Sequence, residues 1–297
     1  MTDLPTIAVF GTGDMGHAVG RVAADKGCRV VTALDGRSDR SRALAAQAGI
    51  EDLCSLPLAV APADIILSIL PPSEALTLAS EIAASAGVAG KIFVDCNAIS
   101  PQRAAAVSDC VVGAGMNFVD GGIIGPAPVK APATRLYVSG EAREALFFRE
   151  DERLTVRDLG PEPGRASAIK MCYAALTKGS WTLFAALATA AYRLGVGPDL
   201  DAELADSQAA VRDRQHAMLP RLPLDAGRWV GEMEEIAATL AAAGLPDGFH
   251  LAAADMFRLL DETPFAAETR QDWDTTRTPE QTVAAVSDVI DTRGADR

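Results

Sequence analysis

The feature that most constrains the fold is a glycine motif near the start of the chain. An apolar run at residues 6–10 is followed by three glycines in GxGxxG spacing, then by a helical pattern over residues 15–26 and a second apolar run at 29–33. In this context the first glycine permits a tight turn, the second lets the backbone approach a pyrophosphate, and the third lets the helix pack closely on the sheet. The motif therefore predicts a dinucleotide site at the helix N-terminus. The residues expected to contact the cofactor are Gly11, Thr12, Gly13, Asp14, Met15 and Gly16.

Strand and helix patterns alternate through the first half of the chain. A helix is expected at residues 73–86 with Ser73 as its N-cap, another after Ser100-Pro101, and a Gly/Pro-rich loop at 121–132. Further strands are predicted at 65–70, 91–95, 117–120, 135–139 and 154–159. Such alternation predicts a parallel sheet with helices on both faces.

Beyond the Gly/Pro-rich stretch 160–164 the pattern becomes almost entirely helical. We therefore predict an α/β protein of two domains. A Rossmann-type parallel-sheet domain covers residues 1–163, and an all-helical domain for substrate binding and dimerisation covers 164–297.

Composition restricts the partners. The net charge of −13 disfavours nucleic acid and anionic membranes, since both require a basic face. Five cysteines without a CxxC, and no leader-like N-terminus, predict a cytoplasmic protein with free thiols, and three scattered histidines predict no metal site. The one stretch approaching membrane-span length, 171–192, contains Lys178 and is interpreted as a helix buried in a domain. A small-molecule substrate is the expected partner.

Cofactor preference depends on residues 34–42. Asp35 stands where an acidic residue binds the ribose hydroxyls of NAD. Arg37 and Ser38, followed by Arg40 and Arg42, instead resemble a turn that clamps the 2′-phosphate of NADP, because arginine forks match phosphate oxygens. We favour NADP, with NAD possible; the competing interpretation is that these arginines are the solvated first turn of a helix.

Polar and cyclic residues also follow two predicted strands. Asn97 lies just past a strand end, where ligands bind in open α/β sheets, and its amide could orient the nicotinamide half of the cofactor. The alternative is an Asx turn leading to the Ser100 cap. Pro71 and Pro72 are expected to shape the wall beside the adenine half, and Leu70 and Pro71 are expected to contact the cofactor.

Five segments in order and spacing resemble the β-hydroxyacid dehydrogenase family, which includes the nucleotide-binding domain of 6-phosphogluconate dehydrogenase. They are 11–16, 68–72 (Ser-Ile-Leu-Pro-Pro), 94–101 (Val-Asp-Cys-Asn-Ala-Ile-Ser-Pro), 118–126 (Phe-Val-Asp-Gly-Gly-Ile-Ile-Gly-Pro) and 160–170. The resemblance extends to about residue 195 and implies that Lys170 is catalytic and that the protein is a homodimer. The remainder is similar to a divergent branch with a phosphogluconate dehydrogenase-type C-terminal domain.

The substrate half departs from the family pattern. Ile124 stands where the family has a serine that grips a substrate carboxylate, and Tyr173 stands where it has an asparagine. Gly121 and Gly122 are expected to let the backbone approach the substrate. Tyr173 either donates its hydroxyl or packs against the neighbouring domain. On a helix Lys178 shares a stripe with Lys170; it either holds an anionic substrate group or extends its amine to solvent. The expected substrate residues are Gly121, Gly122, Ile124 and Lys178.

The chain is accordingly predicted to be an NADP-dependent oxidoreductase. It would interconvert an alcohol and a carbonyl on a small, anionic substrate, with Lys170 as acid and base and Tyr173 assisting. One alternative is reduction of a C=N bond, which Lys170 disfavours and Tyr173 keeps open. The other is a non-catalytic NADP-binding sensor, which the loss of the family's serine and asparagine favours.

Overall fold

The computed structural model describes residues 4–130, 134–146 and 150–295. The chain divides into two compact units, 1–172 and 173–297. This division falls inside a long helix, Arg165–Arg193, whereas the predicted boundary at 163/164 precedes that helix. The expectation of an α/β unit followed by a helical one is confirmed.

One sheet dominates the first unit, and nine strands belong to it within the described residues. They are β1 (Ile7–Phe10), β2 (Val30–Thr32), β3 (Glu51–Asp52), β4 (Ile65–Ser68), β5 (Ile92–Asp95), β6 (Asn117–Ile124), β7 (Thr134–Ser139), β8 (Glu150–Asp151) and β9 (Leu154–Asp158). Their order is β3-β2-β1-β4-β5-β6-β7-β9-β8. From β3 to β6 all neighbours are parallel, whereas β7 runs antiparallel to β6. The predicted parallel sheet is therefore right for the glycine-motif half, and an antiparallel pairing extends it.

Helices cover both faces of this sheet. They are α1 (Asp14–Asp25), α2 (Asp39–Gln47), α3 (Leu56–Val60), α4 (Ala75–Ala83), α5 (Pro101–Gly113) and the start of α6 (Arg165–Arg193). Because side chains alternate along a strand, Val9 and Leu67 join one apolar cluster while Ala8 and Ile66 join the other. The Ser100 side chain caps α5 as predicted, accepting from the Arg103 N–H at 3.3 Å.

Two predicted elements differ from the structure. The helix expected at 73–86 begins as a 3₁₀ turn at Pro72–Glu74 and makes no side-chain cap, so Ser73 is not its N-cap. The loop expected at 121–132 is wrong in its first part, since β6 continues to Ile124 and pairs with β7 from Asp120 to Ile124. Residues 131–132 of that loop lie outside the described residues. A strand of this kind is stabilised by a partner that local sequence does not reveal.

The second unit is helical. After α6 come α7 (Gly197–Ser207), α8 (Ala209–Met218), α9 (Ala226–Ala242), α10 (Gly248–Asp261) and α11 (Pro279–Ala295). Trp229 of α9 lies at the centre, with ring centroids 5.4 Å from Trp181 and 5.3 Å from Phe257. Within the described ranges, no helix combines the length and apolarity needed to span a membrane.

Candidate active site

The glycine loop between β1 and α1 has the shape of a phosphate cradle. Gly11 has φ +94°, and a Cβ there would overlap the carbonyl oxygen of Ile69. A Cβ on Gly16 would overlap the Gly11 carbonyl oxygen. Gly13, by contrast, faces space that is open for 4 Å, and α1 starts there without a side-chain cap. A helix start without a side-chain cap, beside open space at Gly13, fits a pyrophosphate, so the residues present fit a dinucleotide.

The side chains of Thr12, Asp14 and Met15 in this loop all contact other parts of the protein. The Thr12 side chain is buried and its hydroxyl donates to the Ser41 carbonyl at 3.2 Å. Asp14 pairs with Arg40 of α2, and Met15 packs against the apolar cluster that contains Val9. Cofactor contact through residues 11–16 would therefore come from the backbone, and it stays a prediction for each of them.

The turn between β2 and α2 carries the residues predicted to select the cofactor. Asp35 and Arg37 are exposed, and the Ser38 Oγ accepts from the Ser41 N–H at 3.3 Å, capping α2. Arg40 is engaged by Asp14, and Arg42 donates to the Leu34 carbonyl at 2.5 Å. Among the described residues, no side-chain partner is found for Arg37.

Asn97 ties together the carboxyl ends of β4 and β5. Its buried amide accepts from the Leu70 N–H at 2.5 Å and donates to the Ser68 hydroxyl at 2.8 Å and to Asp95 at 3.0 Å. The Asx turn here is made by Asp95, whose Oδ1 accepts from the Asn97 N–H at 2.8 Å. Asn97 therefore holds Leu70 in place, next to exposed Pro71; cofactor contacts of Leu70, Pro71 and Asn97 stay predictions.

A buried polar row crosses the sheet at this edge. Ser68, Asp95, Asp120 and Ser139 are in register on β4, β5, β6 and β7, and each is at most 1% exposed. Burial raises the pKa of Asp95 to about 7, and the neighbouring Asp120 charge adds to the effect while hydrogen bonds from Asn97 oppose it. Burial also raises the pKa of the adjacent Cys96 thiol.

Asp120 receives the N-terminus of α6. Its Oδ2 accepts from the N–H groups of Ala166 at 2.9 Å and Ser167 at 3.0 Å, and from the Ser139 hydroxyl at 3.0 Å. Its Oδ1 accepts from the Ser167 hydroxyl at 2.5 Å. A carboxylate at this position satisfies N–H groups that otherwise lack partners and complements the helix dipole. Sequence reasoning missed this role.

Lys170 lies one turn further along α6 and reaches the end of β6. Its Nζ donates to the Ile123 carbonyl at 2.8 Å, and the side chain is half-buried. The helix comes this close because Gly122 has no side chain: a Cβ would be 2.5 Å from the Ala166 oxygen and 3.1 Å from the Lys170 Cβ.

The predicted substrate residues on β6 also pack inward. A Cβ on Gly121 would be 2.8 Å from both the Asp95 carbonyl oxygen and the Cys96 Sγ. Ile124 is 2% exposed. Both glycines thus have a packing explanation, and a substrate contact by Gly121, Gly122 or Ile124 stays a prediction.

Tyr173 and Lys178 belong to the second unit. Tyr173 is 45% exposed. Lys178 is 9% exposed, ion-paired with Glu232, and its Nζ is 5.5 Å from the Trp229 ring centroid. The Lys178 amine is therefore not extended to solvent, and an internal carboxylate already balances its charge. Its predicted contact with an anionic substrate remains untested.

The fold and the glycine loop define a Rossmann-type nucleotide-binding protein. Residues 6–146 match the NAD-binding domain of 6-phosphogluconate dehydrogenase, and residues 191–260 match a domain of unknown function, DUF1932. The chain thus combines a nucleotide-binding domain of the 6-phosphogluconate dehydrogenase type with a DUF1932 domain. The resemblance predicted from the sequence motifs is thereby confirmed.

Solved structures share this architecture. A conserved protein of unknown function, described as similar to 3-hydroxyacid dehydrogenases, is 28% identical, with a TM-score of 0.64 and coverage of 86% of this chain and 97% of that one. The 3-hydroxyisobutyrate dehydrogenase of Mycobacterium tuberculosis, solved with L-serine, is 20% identical, with a TM-score of 0.64 and coverage of 97% and 99%. A reductive aminase from Aspergillus terreus, solved with NADPH4, cyclohexanone and allyl amine, is 20% identical, with a TM-score of 0.53 and coverage of 98% and 100%.

Proposed function

We propose that the protein is an NADP-dependent oxidoreductase that interconverts an alcohol and a carbonyl on a small substrate, with Lys170 as the acid and base. The observation that carries the proposal is the hydrogen bond of 2.8 Å from Lys170 Nζ to the Ile123 carbonyl. It holds an amine at the end of β6, in the unit that carries the nucleotide-binding loop. Ligands bind at the carboxyl ends of strands in open α/β sheets.

The nicotinamide cofactor, when bound, accepts or supplies the hydride. In the oxidising direction the Lys170 amine takes the proton of the substrate hydroxyl as the hydride leaves the same carbon. In the reducing direction the ammonium returns that proton to the nascent alkoxide. The Ile123 carbonyl accepts a hydrogen bond from Lys170 in either state and so restricts the amine to one position.

The NADP preference rests on the turn before α2. An exposed arginine with no partner among the described side chains stands beside a serine at a helix N-terminus, and a 2′-phosphate is an anion that suits both. NADPH is bound, together with ethyl levulinate, in another structure of the reductive aminase of similar fold. Asp35, which would favour NAD, is exposed in the same turn.

The substrate's charge is the weakest part of the sequence prediction. Lys178, the residue proposed to hold an anion, is paired with Glu232, and Ile124 cannot grip a carboxylate as the family's serine does. An uncharged substrate, including a C=N bond, is therefore the second candidate. Exposed Tyr173 supplies a phenol that could serve such a reduction.

Four probes separate these candidates. Purified protein is assayed with NADP(H) and NAD(H) on 3-hydroxyisobutyrate, L-serine, ethyl levulinate, and cyclohexanone with allyl amine. We expect turnover with at least one alcohol or ketone, and a loss of about 100-fold or more in kcat for Lys170→Met. The matched control is Lys91→Met, because Lys91 is also half-buried and donates to backbone carbonyls, at 3.0 Å to Ala61 and 2.5 Å to Ala63.

Each outcome favours or refutes one of the candidate functions. If cyclohexanone with allyl amine is the only probe that turns over, C=N reduction is favoured. Tight cofactor binding without turnover of any probe would favour the sensor. Wild-type turnover by Lys170→Met would refute the lysine mechanism.

The homodimer is also part of the proposal. A groove of about 680 Å³ between α6 and α10 is lined by residues that include no Asp, Glu, Lys or Arg. Its rim is strongly exposed, at 72% for Leu176, 67% for Leu183 and 76% for Phe249. In a chain with net charge −13, an uncharged apolar groove is where two copies can meet without repulsion.

Light scattering tests this face. Leu183→Asp is expected to yield monomers, while Leu194→Asp, at a leucine 76% exposed outside the groove, should leave the dimer intact. A wild-type monomer, or equal dissociation by both variants, would overturn this part of the proposal.

A further inference from the structure

The side chains of Asp120, Ser139 and Ser167 form a buried polar cluster at the start of α6, and the proposed reaction does not use this cluster. The Asp120 carboxylate accepts four hydrogen bonds, two from backbone N–H groups and two from serine hydroxyls. The residue is 1% exposed, and Ser139 and Ser167 are 0% and 1% exposed. A carboxylate removed from water is retained only where donors replace its hydration, and here all of them belong to the sheet or to the first turn of α6.

We infer that Asp120 is the positioning residue for Lys170, fixing the first turn of α6 so that the amine meets the end of β6. This inference rests on the proposed function, in which Lys170 exchanges a proton with the substrate. Asp120 and Ile123 are three residues apart on one strand, and they hold α6 at two points: Asp120 at Ala166 and Ser167, and Ile123 at Lys170.

These two anchors determine both the rotation and the axial position of the helix. Between them Gly122 contacts the same face of α6, where a Cβ would be 2.5 Å from the Ala166 carbonyl oxygen. A helix start without such a cap frays, because its first N–H groups have no intrahelical partners. Fraying of the first turn would move an amine that the proposed reaction needs at one place.

Electrostatics acts in the same direction. The N-terminus of α6 carries the positive end of the helix dipole, and Lys170 would place an ammonium in the second turn. This arrangement is unfavourable without a compensating negative charge. Asp120 provides that charge through contacts within the first turn, so it stabilises the helix start in the presence of the ammonium.

The experiment compares Asp120→Asn with Ser167→Ala, Ser167→Thr and Ser100→Ala. The substrate is whichever of 3-hydroxyisobutyrate, L-serine, ethyl levulinate, and cyclohexanone with allyl amine turns over fastest. Asp120→Asn is expected to lower kcat by about 10-fold or more while the cofactor Kd changes by less than about two-fold. Ser167→Ala should give a smaller loss, and Ser167→Thr should restore kcat because it keeps the hydroxyl that donates to Asp120 Oδ1.

Ser100→Ala is the matched control. It removes the side-chain cap that α5 receives through the Arg103 N–H, a contact that does not involve Asp120 or Ser167, so it should lower Tm with kcat unchanged. Hydrogen exchange of the amides at 166 and 167 should accelerate in the Asp120 and Ser167→Ala variants only. If Asp120→Asn does not fold, the two Ser167 variants decide.

Failure of the inference is distinguishable from failure of the proposed function. Wild-type kcat in Lys170→Met would remove the function and with it the inference. An inactive Lys170→Met combined with wild-type kcat in the Asp120→Asn and Ser167→Ala variants would remove the inference alone. An equal loss of kcat in Ser100→Ala would also remove it, since the effect would then be general destabilisation.

Discussion

Gly122 lies directly against Lys170, and a methyl group on Gly122 would press on the start of α6. A Cβ on Gly122 would be 3.1 Å from the Lys170 Cβ and 2.5 Å from the Ala166 carbonyl oxygen. The second of these atoms is backbone, so α6 itself would have to move. The absence of a side chain on β6 is thus what allows the amine of Lys170 to reach the strand end.

Gly122→Ala should therefore displace α6. We expect a loss of about 1–3 kcal/mol in the free energy of unfolding and a fall in kcat, with nucleotide affinity retained. Gly113→Ala is the control, because nothing lies within 4 Å of a Cβ at the end of α5. Urea unfolding and steady-state kinetics measure both, and a fully active, fully stable Gly122→Ala would contradict the packing argument.

Asp95 should make stability depend on pH between about 4 and 7. Burial raises its folded-state pKa to about 7 from 3.8, so the folded protein binds a proton that the unfolded chain releases. The stabilisation is complete below the unfolded pKa and is lost as pH rises to the folded pKa, at most about 1.4 kcal/mol per pH unit.

The Asp95→Asn variant lacks this titration. Its free energy of unfolding should therefore rise relative to that of wild type by about 2 kcal/mol between pH 5 and pH 7.5, because only wild type loses stability over this range. Urea titrations at the two pH values measure the change. Parallel pH profiles for the two proteins would contradict the assignment of the titration to Asp95.

The predictable parts of the molecule are those set by neighbours in sequence. The glycine loop follows from three glycines beside a strand, and the α5 cap from Ser100 followed by Pro101. Both depend on residues within one turn, where steric limits and capping chemistry suffice.

The remainder depends on distant partners. The donors to Asp120 from α6 are 46 and 47 residues away in sequence, and the continuation of β6 to Ile124 depends on pairing with β7. Lys178 shows the same limit, since its partner Glu232 is 54 residues away. The sequence does contain a signal for Asp120, because this acidic residue stands between apolar strand residues and two glycines. The sequence does not show which donors stabilise its charge.

Arg277 should be the most costly arginine to replace in the helical unit. Its side chain is 2% exposed, pairs with Glu268, donates to the Pro220 carbonyl at 3.1 Å, and lies 3.8 Å from the Phe265 ring centroid. Arg277→Met removes these contacts and leaves the partly buried Glu268 without this cation, so it should cost about 3 kcal/mol in the free energy of unfolding.

The control for this effect is Arg258→Met. Arg258 also pairs with a glutamate, Glu234, but its side chain is 43% exposed, and we expect a cost of at most about 1 kcal/mol. Denaturant midpoints give both values. Equal costs would show that burial does not determine the strength of these pairs.

Lys178 should act in stability rather than in substrate binding. Lys178→Met removes the cation that pairs with Glu232 inside the unit, so we expect a loss of about 2–4 kcal/mol in the free energy of unfolding, and the additional change Glu232→Gln should recover part of it. The KM values for 3-hydroxyisobutyrate and L-serine should not change. A selective rise of KM for these two carboxylates would instead support the substrate role that the sequence predicted.

Arg37 should determine the preference for NADP over NAD. The structure leaves its exposed side chain without a partner among the described residues, next to the α2 N-terminus capped by Ser38. Charge-assisted contacts to phosphate contribute about 1.5–3 kcal/mol, so Arg37→Ala should weaken NADPH binding by about 10- to 100-fold and NADH binding by less than about two-fold. Arg40→Ala is the matched control, because Arg40 is already engaged by Asp14 and its loss should alter both affinities similarly.

Fluorescence titration with the two nucleotides measures the ratio of the NADPH and NADH affinities. If the ratio is unchanged in Arg37→Ala, the arginines of this turn are only the solvated start of α2, and exposed Asp35 becomes the residue that selects the cofactor.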